Sequence, residues 1–190
     1  MMKSIKVASS IVVGVLAVVA GAKDAHALGP VSVEIGAKAG IATSPVDSGP
    51  NPLGFGIGAR GGIEIMNVYA GVNVLYYLGA SQTVLGVEAS EHTLMYGLEG
   101  GYGFKLADDI ITIRPQLGLG NTSFSFSAGN QSSSKSNIYL EPGVAVIVGL
   151  GGLYVGGDAN YLIIPGVDQG FGQSKTYSSF TLHGQVGLKF

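Results

Sequence analysis

The residue types that most often perform chemistry are scarce in this chain of 190 residues. It contains no cysteine, which excludes disulfides, thiolate metal sites and a cysteine nucleophile. The sequence has no H-E-x-x-H, G-x-S-x-G or G-x-x-x-x-G-K-S/T motif. Residues 56–61 fit the pattern G-x-G-x-x-G, but they follow a predicted loop and open no helix. A dinucleotide site is therefore not expected.

Two histidines, His92 and His183, lie beyond the N-terminal segment. A metal site built from them would need carboxylate partners in a converging geometry, and nothing in their spacing indicates one. We therefore predict no catalytic site, no cofactor and no metal.

Ten charged residues lie in segments that are otherwise apolar. When the residues of each segment are assigned alternately to two faces, as in a β-strand, all ten fall on the same face. They are Glu34, Lys38, Arg60, Glu64, Glu99, Lys105, Arg114, Glu141, Asp158 and Lys189. Five are acids and five are bases. If all ten face the same enclosed interior, they can form ion pairs there and leave no net charge. The pattern predicts a structural polar network, which five uncharged polar residues would join. These are Asn73, Gln116, Asn160, His183 and Gln185.

The composition excludes several classes of protein. Only 12% of the residues are charged, against about 25% in an average protein. Because 46% of the residues are apolar and disordered chains have low hydrophobicity, the composition excludes a disordered protein. A net charge of −2 does not provide the basic surface that nucleic-acid binding requires. The 32 glycines show no collagen-like period.

The first 27 residues predict a secretory signal peptide. Lys3 and Lys6 precede an apolar stretch over 11–20, and Ala25-His26-Ala27 provides a cleavage site. We expect cleavage after Ala27 and a mature domain over residues 28–190. The alternative is a retained membrane anchor, but the uncharged run from 7 to 22 is shorter than the ~20 residues needed to span a bilayer.

The remaining chain alternates with the period of a β-strand, in which neighbouring side chains point to opposite faces. The eight predicted segments are Val33–Ile41, Phe55–Ile65, Val68–Leu78, Leu94–Leu106, Ile111–Leu119, Ile138–Leu150, Leu153–Ile163 and Phe180–Phe190. One face of every segment is free of charge, and the other carries all ten charged residues. Because a basic residue facing lipid costs about 2–4 kcal/mol at mid-depth, the charges must point inward. Open sheet edges cannot lie in hydrocarbon, so the sequence predicts an all-β, eight-stranded, antiparallel, up-and-down transmembrane β-barrel.

The connections also follow the outer-membrane pattern, in which short periplasmic turns alternate with long external loops. The predicted short links are 66–67, 107–110 and 151–152, and the long ones are 42–54, 79–93, 120–137 and 164–179. Aromatic residues near the strand ends predict two interfacial girdles. They are Phe55, Tyr76, Tyr96, Tyr161 and Phe180 at one end, and Phe104 and Phe190 at the other.

The signal peptide, the eight strands and a last strand ending in phenylalanine, residues 180–190, resemble the small outer-membrane β-barrels of Gram-negative bacteria, which include the outer-membrane-protein-A-like, X-like and opacity-like barrels. The resemblance implies location in the cell outer membrane. It also implies that the barrel-assembly machinery recognises the C-terminal signal at Val186, Leu188 and Phe190.

The predicted function is that of a non-enzymatic barrel for envelope structure or surface interaction. Its expected partners are outer-membrane lipid, lipopolysaccharide and a host or surface ligand at the external loops. The alternative is a narrow pore for small solutes, because an eight-stranded lumen can be filled by its own side chains or left partly open. A more distant alternative is a lipid A-modifying hydrolase that uses His183 with a serine and an acid, as some small outer-membrane barrels do.

Overall fold

The computed structural model describes residues 31–43, 53–84, 87–128, 131–168 and 174–190. The predicted signal peptide therefore lies outside the described residues. The strands are β1 (Val31–Ala42), β2 (Phe55–Ile65), β3 (Val68–Val84), β4 (Val87–Tyr102), β5 (Phe104–Leu106), β6 (Ile111–Ala128), β7 (Gln131–Gly149), β8 (Leu153–Asp168) and β9 (Ser174–Lys189). No helix within these ranges is long and apolar enough to cross a membrane.

The strands form one closed antiparallel barrel. Strands that are adjacent in sequence pair with each other, except that β4 pairs with β6 and not with β5, and β1 closes the sheet by pairing with both β2 and β9. The short β5 occupies the same position in the barrel as β4, because both strands pair with β6 and the two pairings have the same register. The barrel therefore has eight strand positions, which confirms the predicted fold.

Two prolines interrupt the hydrogen-bond ladders of the barrel wall. Pro115 of β6 pairs with β7 on one side, but on the other side it faces the break between β4 and β5, where the ladder to β6 is missing. Pro142 of β7 coincides with a similar gap in the ladder to β8. Proline has no N–H to donate to a neighbouring strand, so it explains both gaps.

The short connections lie together at one end, which we call the turn end. Met66 and Asn67 both have positive φ, 49° and 73°, as a two-residue type I′ hairpin requires. Gly151 and Gly152, at φ 66° and 91°, form another tight turn in a left-handed conformation that glycine adopts without steric cost. The opposite end is called the hairpin end.

At the hairpin end the strands are longer than the sequence predicted. The β3–β4 ladder continues to the pair Val84 and Val87, and the β6–β7 ladder continues to Ala128 and Gln131. The β8–β9 ladder likewise continues to Asp168 and Ser174. The expected long loops over 79–93, 120–137 and 164–179 are therefore wrong, because backbone pairing continues beyond the apolar alternation that marked the predicted strand ends. Four strands, β3, β4, β6 and β7, extend past the barrel rim as a sheet, which we call the outer sheet. Part of the predicted loop over 42–54, residues 44–52, lies outside the described residues.

The outward face of the barrel is apolar and carries aromatic residues near both ends. Tyr161 and Phe180 pack against each other at the hairpin end, with ring centroids 4.9 Å apart and ring planes tilted by 54°, and Tyr102 and Phe104 meet edge to face at 5.1 Å at the turn end. Leucine, isoleucine and valine side chains are exposed between these levels. A soluble protein rarely exposes so large an apolar surface, so the outward face is suited to hydrocarbon.

Candidate functional site

The lumen collects the charged residues that the alternation assigned to the inward face. Eight of the ten are almost completely buried. They are Glu34, Lys38, Arg60, Glu64, Glu99, Arg114, Glu141 and Asp158. The other two, Lys105 and Lys189, lie towards the turn end with side chains 31% and 25% exposed. Inside the barrel these groups form three neighbouring clusters.

The first cluster lies near the turn end and is centred on Arg114. Its guanidinium donates two hydrogen bonds to Glu34, at 2.8 and 2.7 Å, and one to Glu64 at 2.8 Å. Lys189 lies 3.1 Å from both carboxylates and Lys105 lies 3.1 Å from Glu64. Because β1 and β6 stand four positions apart in the eight-position barrel, the Arg114–Glu34 pair spans the lumen.

The second cluster joins the first through the ring of Tyr69. The Arg114 guanidinium lies 4.1 Å from the ring centroid and that of Arg60 lies 4.8 Å from it, within the range of cation–π attraction. Arg60 also lies 2.8 Å from Glu99 and donates to Gln185 at 2.8 Å. The Tyr69 hydroxyl donates to Glu99 at 3.0 Å, so the two arginine clusters form one continuous network.

The third cluster surrounds Asp158 closer to the hairpin end. Lys38 lies 3.0 Å from one carboxylate oxygen, and Nδ1 of His183 lies 2.9 Å from the other. Asn160 donates to Asp158 at 2.6 Å. The second ring nitrogen of His183 lies 2.7 Å from the Tyr77 hydroxyl, so both nitrogens of this histidine are used inside the lumen.

Glu141 differs from the other nine charged residues. The Thr181 hydroxyl donates to it at 3.0 Å, and the ion pairs formed among the described residues do not include it. The structure therefore brings nine of the ten predicted residues into ion pairs and places the tenth beside them in the lumen wall.

An apolar cap closes the lumen above the third cluster, and the sequence analysis did not predict it. The cap consists of Leu53, Leu75, Met95, Leu162 and Ile164, none of which is exposed. Inward parity near the strand ends was the available signal for Leu75, Met95 and Leu162, whereas Leu53 and Ile164 belong to predicted loops. The lumen thus consists of a polar column that begins at the turn end and an apolar cap at the hairpin end.

Inward glycines provide the space that the tyrosines occupy. A Cβ added to Gly56 would lie 2.6 Å from the Tyr77 ring, and one added to Gly62 would lie 2.6 Å from the Tyr69 ring. Such distances are shorter than real Cβ contacts allow, so these glycines permit large aromatic side chains to fill a narrow barrel.

The two histidines lie on opposite faces of the wall. His183 is buried in the lumen, whereas His92 lies on the outward face with its ring 5.7 Å from that of Tyr76. Within the described ranges, no three His, Asp or Glu side chains are grouped so that they could hold a metal ion.

The predicted assembly residues lie on the last strand and at the C-terminus. Val186 is exposed on the outward face, and Leu188 and Phe190 are partly exposed. The backbone of Phe190 exchanges two hydrogen bonds with Val33, at 2.9 and 3.0 Å, so the C-terminal residue takes part in closing the barrel.

Comparisons with known proteins agree with this geometry. The family model described as "Outer membrane protein beta-barrel domain" matches residues 9–190. Comparison with curated protein sequences gave no match. Similar solved structures include Neisserial surface protein A, with 17% identity, a TM-score of 0.55, and coverage of 85% of this chain and 97% of that one.

Two further structures show the same fold. A major outer membrane protein from Thermus thermophilus has 11% identity, a TM-score of 0.58, and coverage of 84% of this chain and 99% of that one. The N-terminal β-barrel domain of Pseudomonas aeruginosa OprF has 13% identity, a TM-score of 0.56, and coverage of 84% and 97%. With a closed eight-position barrel, an apolar outward face and a family match over nearly its whole length, this chain belongs to the outer membrane protein β-barrel domain family.

Proposed function

We propose that the protein is a non-enzymatic, non-conducting barrel that contributes to envelope structure and makes surface contacts through its hairpin end. The observation that carries this proposal is the filled lumen. Arg114 and Glu34 bridge the barrel with no exposed surface, and the apolar cap closes the hairpin end. An ion would have to break buried ion pairs and then cross an apolar constriction, which is a barrier to conduction.

The narrow-pore alternative is tested by single-channel recording in planar bilayers. We expect no discrete conductance from the purified, folded protein. Steps of defined size that change when Arg114 or Glu99 is neutralised would refute the sealed lumen. The same protein should be checked for its heat-dependent shift in gel mobility, so that a silent bilayer is not mistaken for an unfolded sample.

The hydrolase alternative is not supported by the position of His183. Its ring nitrogens contact Asp158 and Tyr77, and all three side chains are buried in the lumen. A lipid substrate approaching the outward face would not reach them. Lipid A deacylation that purified protein performs and that His183→Ala abolishes would overturn this proposal.

The proposed orientation places the hairpin end outside the cell and the turn end in the periplasm, because short periplasmic turns and longer external connections are typical of outer-membrane barrels. The chain has no cysteine, so a single introduced cysteine can be labelled without background. In whole cells we expect an impermeant maleimide to label Ser134→Cys at the hairpin end but not Asp108→Cys at the turn end. Both residues are exposed, and the reverse labelling would refute the orientation.

Export is proposed to depend on residues 1–27. Mass spectrometry of the outer-membrane protein should show a chain that begins at Leu28. A mature protein that retains residues 1–27 would refute cleavage, and recovery in the inner membrane would contradict the proposed location.

A further inference from the structure

Beside the second cluster, three buried polar groups have no hydrogen-bond partner among the described residues. They are Nε of Arg60, Nε2 of Gln185 and the hydroxyl of Tyr154. All three residues are buried, with at most 5% of their surface exposed. Leaving a buried donor without an acceptor is unfavourable and native proteins rarely do so, so these groups point to a bound ligand.

The register of the strands brings the three groups to one place in the lumen. Arg60 stands opposite Gly36, and Gly36 stands opposite Gly187. Gly187 in turn stands opposite Tyr154 of β8. The Tyr154 side chain extends along this row, because a Cβ added to Gly187 would lie 2.6 Å from its ring and one added to Gly36 would overlap its hydroxyl. Arg60 crosses the same row from the other side to donate to Gln185 of β9 at 2.8 Å, so the two glycines form the floor on which these side chains meet.

The three unpartnered groups can all donate a hydrogen bond. The N–H of a guanidinium and the N–H of an amide are donors only, whereas a tyrosine hydroxyl can donate or accept. The acceptor of the Gln185 amide, Oε1, is already used by Arg60. A ligand at this place must therefore accept hydrogen bonds from several directions, as a small anion does.

The charge balance around Arg60 favours an anion over a water molecule. The joined first and second clusters contain four bases and three acids, which are Arg60, Lys105, Arg114, Lys189, Glu34, Glu64 and Glu99. The remaining two acids, Asp158 and Glu141, lie with Lys38 and Thr181 in the region of the third cluster. The network around Arg60 thus carries one positive charge in excess, and an uncompensated buried charge is strongly unfavourable. A bound anion supplies the missing charge, whereas a water molecule does not.

We propose that the lumen holds one small monovalent anion of the size of chloride, bound by Arg60, Gln185 and Tyr154 above Gly36 and Gly187. The anion is a structural ligand that is enclosed when the barrel folds. This inference goes beyond the proposed function, and it holds for either orientation of the barrel in the membrane.

The test compares the full chain refolded into phospholipid vesicles in sodium bromide and in sodium gluconate at equal ionic strength. Bromide resembles chloride in charge and size, whereas gluconate is too large for a site enclosed by buried side chains. Because a ligand that binds only the folded state stabilises it by mass action, we expect the midpoint of urea unfolding to rise saturably with bromide. Crystals of protein refolded in bromide should show an anomalous-diffraction peak in contact with Arg60, Gln185 and Tyr154.

Two substitutions and a matched control locate the site. Gln185→Glu supplies the negative charge covalently and still accepts from Arg60, so this variant should lose both the bromide response and the peak. Tyr154→Phe removes one donor and should weaken bromide binding about fivefold, as for the loss of one modest hydrogen bond. The control is Tyr139→Phe, which removes another buried lumen hydroxyl, the one that donates to Asn73, and should keep the full bromide response. Circular dichroism confirms that each variant is folded.

Crystals without an anomalous peak at this place would overturn the proposal. A bromide response that persists in Gln185→Glu would also overturn it, because the response would then come from the effect of the salt elsewhere on the protein. A peak without any bromide-dependent stability would indicate an adventitious ion only. If Gln185→Glu fails to fold, an unchanged bromide affinity of Tyr154→Phe refutes the site instead.

Discussion

Replacing Arg114 by methionine should destabilise the folded barrel by about 3 kcal/mol, at the lower end of the ~3–5 kcal/mol expected when one partner of a buried ion pair is removed. The substitution removes three charge-assisted hydrogen bonds, two to Glu34 and one to Glu64. The carboxylates keep Lys189, and Glu64 also keeps Lys105. These remaining cations are why we expect the lower end of the range.

The matched control is Lys105→Met, which removes a different cation from the same Glu64. The Lys105 side chain is 31% exposed, so water screens its ion pair and replaces it after substitution. We expect a loss of at most about 1 kcal/mol. Both variants remove one positive charge and introduce methionine, so the contrast compares a buried cation that bridges two carboxylates with a partly exposed cation that pairs with Glu64 alone.

A third variant tests whether unpaired charge is the cause. Arg114→Met combined with Glu34→Gln removes the positive charge together with the carboxylate that accepts two of its hydrogen bonds, while Glu64 keeps its ion pairs with Lys105 and Lys189. Since replacing both partners of a buried ion pair by uncharged residues is often close to neutral, this variant should recover part of the stability that Arg114→Met loses.

The assay is equilibrium urea unfolding of protein folded in phospholipid vesicles, followed by circular dichroism. The denaturant slope must stay constant for the free energies to be compared. A loss of unfolding free energy below about 1 kcal/mol for Arg114→Met, or a loss no greater than that of Lys105→Met, would refute a large cost of the unpaired buried carboxylates. Either result would mean that the lumen is wet enough to solvate the freed carboxylates.

Three further predictions concern packing, hydrogen bonding and assembly. Gly56→Ala should lower the free energy of unfolding by about 1–3 kcal/mol, because its Cβ would overlap the Tyr77 ring. The control is Gly61→Ala, whose Cβ would have its nearest neighbour 3.7 Å away, and we expect less than half of that loss in the same urea assay. Tyr77→Phe should lose about 1 kcal/mol by removing the hydrogen bond to His183, and unchanged stability would show that this contact contributes nothing. Phe190→Ala should reduce the amount of folded protein in the outer membrane several-fold while refolding of purified protein stays near normal; an equal defect in both would indicate a role in stability alone.

The sequence was sufficient to predict the eight strand positions and the inward face. Side chains of a strand alternate by geometry, and hydrocarbon excludes charge, so these two constraints assign Glu34, Arg114 and the other charged residues to the lumen without any knowledge of contacts. The structure agrees with that assignment for all ten residues.

The strand ends at the hairpin side were predicted less well, for a physical reason. Alternation of apolar and polar residues indicates which part of a strand lies against hydrocarbon. Backbone hydrogen bonds between strands do not require this alternation, so the strands can remain paired beyond that part. The ladder between β6 and β7 continues to Ala128 and Gln131, although residues 131–137 of β7 are all polar and β6 reverses its alternation, with serine on the outward face and Phe124 packed towards the interior.

By itself, the sequence determined the barrel and its inward charges, because both follow from local alternation. Only the tertiary structure decided which charges meet. Arg114 and Glu34 are 80 positions apart in the chain, and their contact depends on barrel closure and on the register of every strand between them. The same closure brings Leu53 into the apolar cap, which separates the polar column from the hairpin end.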